Sequence, residues 1–142
     1  MAEKKMVIVR GLPGSGKTTM VMNCIKPDDR RNWRICSADH FFLTEDGQYE
    51  FKPWLIGMAH EACKVKCVKA MMNGLNVVID NTNSCYWEYE LYELLAKQFN
   101  YRLKVIDLFD NDLTDEELFS RCLHGVPLDS ITKMRARWEK RS

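Results

Sequence analysis

The chain has 142 residues, of which 46% are hydrophobic and 29% are charged, and its formal net charge is +1 at pH 7. These values are typical of one compact domain, which we expect to span residues 1–142, and they exclude an intrinsically disordered chain. The near-zero charge gives little long-range attraction toward nucleic acid, and the apolar runs are too short to span a membrane.

Cysteine usage indicates the compartment. Of the six cysteines, Cys24, Cys63, Cys67 and Cys122 fall among core positions of predicted helices. This favours reduced, buried thiols over a disulfide framework. The short apolar run near the N-terminus ends at Arg10 and a Gly-rich loop, which is unlike a secretory signal. We therefore expect an intracellular, cytoplasmic protein.

Strands and helices alternate in the first half of the chain. Met6–Arg10 is an almost wholly apolar run, as expected of a buried parallel strand. A helix at about Lys17–Ile25 follows a Gly-rich loop, and Trp33–Ser37 predicts a second strand. Residues 38–52 are polar and aromatic, which is typical of an ordered loop.

The same alternation continues in the second half. Pro53 suits the first turn of a helix, and the capping-box sequence that begins at Thr114 predicts another. The remaining predicted elements are a helix over 54–72, strands over 76–80 and 101–109, a helix over 84–99, and a helix from Pro127 toward Trp138. The alternation predicts βαβ units and a parallel sheet, with helices over about 114–141 following it.

The loop after the first strand reads Gly11-Leu-Pro-Gly-Ser-Gly-Lys-Thr18 and matches the G-x-x-x-x-G-K-[ST] pattern. Its glycines let the backbone wrap around phosphate oxygens, with amide groups aimed inward. Lys17 would reach the β- and γ-phosphates, and the Thr18 hydroxyl would ligate Mg²⁺. The motif predicts that ATP, or a similar nucleotide, contacts Gly11, Pro13, Gly14, Ser15, Gly16, Lys17, Thr18 and Thr19.

Polar residues follow the next two strands, at the edge of the sheet where ligands gather. Asp39 follows the second strand, and it could accept a proton from an attacking hydroxyl or help to hold the metal. Asp80 ends the third strand, as a Walker-B carboxylate that binds Mg²⁺ does. Asn81, Thr82 and Asn83 offer further hydrogen-bonding groups, and they also suit a helix N-cap.

The segment around Asp39 leaves two interpretations open. His40 is either a substrate contact or an ordinary loop residue. An aromatic group could stack on a base or sugar of the acceptor, or form a satellite core under the loop. Its members are Phe41, Phe42, Tyr49, Phe51 and Trp54.

Cations in the C-terminal segment are candidates for stabilising a transferring phosphoryl group. Arg121 is the best of them, with Arg135 and Arg137 behind it, although an arginine on such a helix also suits a solvated surface. Residues 133–141 carry five cations in nine positions. Such a run forms a solvated helix face, or it contacts a nucleotide or a nucleic-acid backbone.

Taken together, these motifs resemble the polynucleotide-kinase-like branch of P-loop kinases, in particular the kinase-like modules related to that of Nedd4-binding protein 2. The residues that carry the resemblance are the stretches 11–19, 37–42, 79–83 and 124–127, the last reading His-Gly-Val-Pro. The resemblance implies a P-loop kinase-type three-layer α/β/α sandwich. Its mainly parallel sheet would have about four to five strands, and a helical lid would follow at the C-terminus.

The resemblance also implies a function. ATP- and Mg²⁺-dependent transfer of the γ-phosphoryl group would go to a hydroxyl of a nucleic acid, nucleoside or nucleotide. Kinases of hydroxymethylated bases in DNA belong to the same broad group. Asp39 would be the general base, Lys17 would bind phosphate, and Arg121 would be the lid arginine. Thr18 and Asp80 would hold the metal.

The acceptor side departs from the family pattern at two positions. Phe42 stands where kinases of 5′-hydroxyl ends usually carry an arginine, and Asn81 stands where an aspartate is common. The expected acceptor contacts are His40, Phe42, Asn81, Thr82 and Asn83. The alternative function is a non-catalytic ATP-binding module that organises a surface for a protein partner.

Overall fold

A computed structural model describes residues 3–122 and 125–141 of the chain. Its strands are β1 (Lys5–Gly11), β2 (Trp33–Cys36), β3 (Asn76–Asp80) and β4 (Arg102–Phe109). They form a four-stranded sheet in the order β2-β3-β1-β4, and every neighbouring pair is parallel. The predicted parallel sheet is confirmed, with the lower of the two expected strand numbers.

The helices cover both faces of this sheet. They are α1 (Lys17–Cys24), α2 (Ile56–Met72), α3 (Tyr86–Gln98), α4 (Asp115–Arg121) and α5 (Leu128–Ala136). The helix α1 packs on one face, while α2 and α3 pack on the other. The three-layer α/β/α arrangement is therefore confirmed.

The central strand β1 explains the longest apolar run of the sequence. Met6 and Ile8 enter the core beneath α2 and α3, whereas Val7 and Val9 enter the core beneath α1. Because both faces are covered, the strand is buried at every position after Lys5 and needs no polar alternation. Burying each of these side chains contributes about 1.5–3 kcal/mol.

The C-terminal helices form a third cluster at the carboxyl edge of the sheet. Leu118 of α4 and Ile131 of α5 pack around Leu12, which follows β1. The predicted capping box is present, since Thr114 Oγ1 accepts from the Glu117 amide and the Glu117 carboxylate accepts from the Thr114 amide. This packing places α4 directly against the Gly-rich loop.

The segment after β2 is more regular than its composition predicts. Strand β2 ends at Cys36, and Ser37 Oγ accepts from the Asp39 amide at 3.2 Å, which caps a 3₁₀ turn over Ala38–Phe42. The chain then folds back in a small hairpin with an antiparallel bridge between Leu43 and Tyr49. This hairpin returns Tyr49 to the end of β2.

All six cysteines are free thiols. Across residues 3–122 and 125–141, none of the helices combines the length and the apolar character needed to cross a lipid bilayer.

Candidate phosphate-binding and phosphoryl-transfer site

The Gly-rich loop joins β1 to α1 and depends on glycine at two positions. Gly14 has φ 82° and Gly16, which precedes α1, has φ 101°, both in the left-handed region. The amide of Ser15 donates to the Leu12 carbonyl at 3.0 Å, which closes the turn. The loop therefore has the curved backbone that the sequence motif predicts.

Helix α4 approaches this loop so closely that Gly14 cannot carry a side chain. A Cβ atom built on Gly14 would lie 2.2 Å from the Leu118 carbonyl oxygen. Such a distance is far below any van der Waals contact, so the missing side chain is what allows α4 to dock. The helix with the predicted lid arginine is thus held against the loop.

The side chain of Ser15 carries a buried, unsatisfied hydroxyl in the loop. Its Oγ is buried and has no hydrogen-bond partner among the residues that the structure describes. A buried hydroxyl without a partner costs about 1–3 kcal/mol. An orphaned donor beside amides at the start of a helix fits a ligand that brings oxygen acceptors, as a phosphate does.

Lys17 lies at the first position of α1 with its ammonium group inside the site. Its Nζ donates to the Leu12 carbonyl at 3.3 Å. Burial lowers the pKa of Lys17, while the charges of Asp80 and Asp39 oppose this shift. The two carboxylates are therefore close enough to act on the same cation, as expected for residues that follow neighbouring parallel strands.

Asp39 lies on the 3₁₀ turn with its carboxylate exposed. The hydroxyl of Tyr49 donates to Asp39 Oδ1 at 3.2 Å. Burial raises the pKa of Tyr49, and so do the charge of Asp39 and the hydrogen bond to it. The phenol consequently stays protonated at neutral pH and remains a donor to Asp39.

The predicted lid arginine is located at the mouth of the loop. Arg121 is the last residue of α4, and its Nη2 atom lies 3.9 Å from the position that a Cβ atom on Gly16 would occupy. The Nδ2 atom of Asn111, after β4, lies at the same distance from that point and donates to the Ser15 carbonyl at 3.1 Å. His124, which contributes to the family resemblance, lies outside the described residues.

The other C-terminal cations have structural partners. Arg135 is paired with Asp110 and Asp115 at 2.5 and 2.6 Å, and Arg137 donates to Ser84 Oγ. These contacts hold α5 to the loop after β4 and to the start of α4, and they hold the residue after α5 to the segment before α3. Lys133 and Arg141 also form ion pairs, with Asp129 and Glu93, so the contacts of residues 133–141 favour the solvated-face interpretation over contact with nucleic acid.

Three of the five predicted acceptor contacts are buried. Asn81 Oδ1 accepts from the Ala38 amide at 2.9 Å, and Asn83 Nδ2 donates to the Val9 carbonyl at 3.2 Å. Phe42 belongs to the satellite core beneath the hairpin. The two asparagine side chains hold the strand ends together. His40, which is exposed, and Thr82, which is half-buried, are the more accessible of the five predicted contacts.

Arg10 has no predicted role beyond ending the apolar run of β1, yet its side chain is fully buried. Its guanidinium group donates to the carbonyls of Asn83, Ser84 and Glu139 and to the carboxylate of Asp107. This arginine joins the ends of three strands to the C-terminal segment. The sequence does contain a sign of this role, because Arg10 is a charged residue within an apolar strand, directly before the Gly-rich loop.

The parallel sheet and the Gly-rich loop between β1 and α1 define a P-loop protein with a kinase-like fold. The chain belongs to the AAA domain family, whose model matches residues 6–139.

Individual relatives agree with this assignment. Human NEDD4-binding protein 2 is 32% identical over 141 residues, which cover 95% of this chain and 8% of the relative. A chain in the structure of the Pnkp1/Rnl/Hen1 RNA repair complex is 25% identical, with a TM-score of 0.72, over 96% of this chain and 44% of its own length. A fungal RNA kinase has the same fold at 16% identity and a TM-score of 0.59, over 98% of this chain and 34% of the kinase. The chain thus spans less than half of each of these three proteins.

Proposed function

We propose that the chain is an ATP- and Mg²⁺-dependent kinase that transfers the γ-phosphoryl group to a hydroxyl of a nucleic acid, nucleoside or nucleotide. The observation that carries this proposal is the arrangement of Lys17, Asp39 and Asp80 around one Gly-rich loop. A cation for phosphate, a carboxylate for the metal and a carboxylate for the acceptor are the groups that phosphoryl transfer needs.

The loop would hold the nucleotide. Its amides and the Ser15 hydroxyl would donate to phosphate oxygens, and Lys17 would pair with the β- and γ-phosphates. Thr18 and Asp80 are oxygen ligands of the kind that suits Mg²⁺, which would supply charge neutralisation on the phosphates when bound. Burial lowers the pKa of Lys17, so the negative charge of a bound phosphate beside its ammonium group would favour the charged form.

The acceptor hydroxyl would be activated by Asp39. The carboxylate takes the proton as the hydroxyl oxygen forms its bond to the γ-phosphorus and the bond to the ADP oxygen breaks. Arg121 would donate to the transferring phosphoryl group as charge moves onto its oxygens. Its position over Gly16 suits this role.

The class of acceptor rests on the resemblance and the relatives. Two of the similar structures are an RNA repair complex and an RNA kinase, which favours a nucleic-acid hydroxyl as the acceptor. Phe42 is buried in the satellite core and carries no charge. It therefore cannot replace the arginine that grips the acceptor phosphate in kinases of 5′-hydroxyl ends. We therefore propose as acceptor either a hydroxymethylated base in DNA or a 5′-hydroxyl end that is bound without this arginine.

A panel of acceptors tests the proposal. The chain is incubated with γ-labelled ATP and Mg²⁺ together with 5′-hydroxyl RNA and DNA strands, DNA that carries hydroxymethyluracil, and free nucleosides. We expect label on one of the nucleic-acid acceptors and none with the Asp39→Asn variant. Tight ATP binding without any labelled product would contradict the kinase proposal.

That contrary outcome would support the second candidate, a non-catalytic ATP-binding module. One observation favours it: Trp87, Leu91 and Leu94 recur at helical spacing along α3, and their side chains are 75%, 41% and 55% exposed. An apolar stripe of this kind suits a protein partner. The labelled-ATP panel separates the two functions directly.

Replacing Tyr49 with Phe is expected to lower kcat about three- to tenfold with little change in ATP affinity, because a hydrogen bond to an exposed carboxylate is lost. The Asp39 carboxylate would then be oriented less well toward the acceptor. Single-turnover transfer and ATP titration measure the two quantities.

Tyr101→Phe is the matched control for this variant. The Tyr101 hydroxyl donates to the Leu75 carbonyl at 2.6 Å. Both residues directly precede strands, so this contact lies at the amino ends of the strands, away from Asp39. A control that slows transfer as much as Tyr49→Phe, or a Tyr49 variant with unchanged kcat, would contradict the positioning role of Tyr49.

A further inference from the structure

The chain that follows β4 turns back over the Gly-rich loop. The Phe109 carbonyl accepts from the Leu12 amide at 2.9 Å, and the Asn111 amide donates to the Leu108 carbonyl at 2.8 Å. This turn brings the Asn111 side chain to the Ser15 carbonyl, where Nδ2 donates at 3.1 Å. Asn111 thus contacts the loop across 96 residues of sequence.

The turn has an unusual backbone. Phe109, Asn111 and Asp112 have φ values of 48°, 51° and 60°, a conformation that residues other than glycine seldom adopt. Such conformations persist only where the surrounding structure holds them, and they are concentrated at functional sites. Here the Phe109 ring packs on Trp138, with the ring centroids 5.0 Å apart.

The contact fixes the direction of one loop amide. The Ser15 carbonyl and the Gly16 N–H belong to the same trans peptide unit, so the two groups point in opposite directions. Because Asn111 holds the carbonyl, the Gly16 N–H points away from Asn111 and is free to face a ligand held by the loop. A free loop with glycine at this position could rotate that peptide.

We propose that Asn111 is a positioning residue for the nucleotide phosphates, acting through the Ser15–Gly16 peptide. This inference rests on the proposed nucleotide-binding function and adds a residue to it from outside the loop motif. Fixing the amide before the ligand arrives removes an ordering cost from binding. The effect requires an amide donor, because a carboxylate at this position would repel both the carbonyl and a phosphate.

The test compares three variants. Asn111→Gly removes the side chain and tolerates the positive φ, and Asn111→Asp keeps the shape but removes the donor. Asn100→Gly is the matched control, because Asn100 also has a positive φ of 58° but lies before β4, at the end of that strand away from the Gly-rich loop. The dissociation constants of Mg²⁺-ATP, Mg²⁺-ADP and AMP are measured by titration calorimetry, with circular dichroism as the check on folding.

We expect Asn111→Gly to weaken ATP and ADP binding about tenfold, the effect of one hydrogen bond and its ordering. AMP binding should change less than about twofold, since AMP lacks the phosphates that reach the loop amides. Asn111→Asp should weaken ATP binding further, and Asn100→Gly should leave all three affinities unchanged.

Two outcomes would overturn the inference alone. The first is unchanged ATP affinity in Asn111→Gly, and the second is an equal loss for ATP, ADP and AMP, which would indicate a general structural role. If the unaltered chain binds none of the three nucleotides, the proposed function fails and the inference fails with it.

Discussion

Replacing Asp39 with Asn is expected to lower phosphoryl transfer about 10²–10⁴-fold, the usual contribution of a general base. The amide has nearly the same shape as the carboxylate but cannot take the proton of the acceptor hydroxyl. ATP affinity should change little, because Lys17 and the loop amides would make the phosphate contacts. A loss of transfer without a loss of binding separates a catalytic carboxylate from a structural one.

Single-turnover transfer with a saturating labelled nucleotide, alongside an ATP titration, measures both quantities. Glu45→Gln is the matched control, since it neutralises an exposed carboxylate in the hairpin that follows the Asp39 turn. Full transfer by the Asp39 variant would remove Asp39 from the role of base. A parallel loss of ATP affinity would instead assign it to nucleotide or metal binding.

Arg10→Met is expected to destabilise the fold by about 3–5 kcal/mol, the usual effect of breaking a buried, hydrogen-bonded charge. The guanidinium group lies 4.4 Å from the centroid of the Trp138 ring and 4.8 Å from that of the Tyr89 ring. Its donors satisfy three carbonyl groups and Asp107 Oδ2, the last at 2.7 Å. Methionine fills much of the same space but donates no hydrogen bond to any of these acceptors.

Urea unfolding gives the change in stability, and hydrogen exchange at Glu139 tests the C-terminal segment. The Glu139 amide donates to the Ser84 carbonyl at 2.8 Å, so its protection should fall when Arg10 is replaced. Arg102→Met is the control, because its ion pair with Glu3 is exposed and such pairs contribute about 0–1 kcal/mol. Equal stability of the two variants would contradict the anchoring role of Arg10.

The sequence predicts those parts of the fold that local pattern controls. The apolar runs at β1 and β3 mark strands that are covered on both faces, and the capping box marks the start of α4. Ligands gather at the carboxyl ends of parallel strands, and this rule predicts Asp39 and Asp80 as site residues. The structure brings both close to Lys17, and their roles remain predictions.

The remaining features depend on contacts between distant segments. Arg10 meets partners that lie 73 to 129 residues away, and Asn111 reaches Ser15 across 96 residues. Asn81 and Asn83 are polar residues at the edge of the sheet where ligands gather, yet their side-chain amides form hydrogen bonds with backbone groups. Composition cannot distinguish an amide that faces a ligand from one that joins two strand ends, because both need the same hydrogen-bonding groups.

The central claim is that the Gly-rich loop and Lys17 grip the phosphates of a nucleotide. Titration calorimetry of Mg²⁺-ATP against the unaltered chain and Lys17→Ala tests this claim most directly. We predict at least about 30-fold weaker binding in the variant, the effect of losing ~2 kcal/mol or more from a buried ion pair. Equal affinity of the two proteins for Mg²⁺-ATP would contradict the claim.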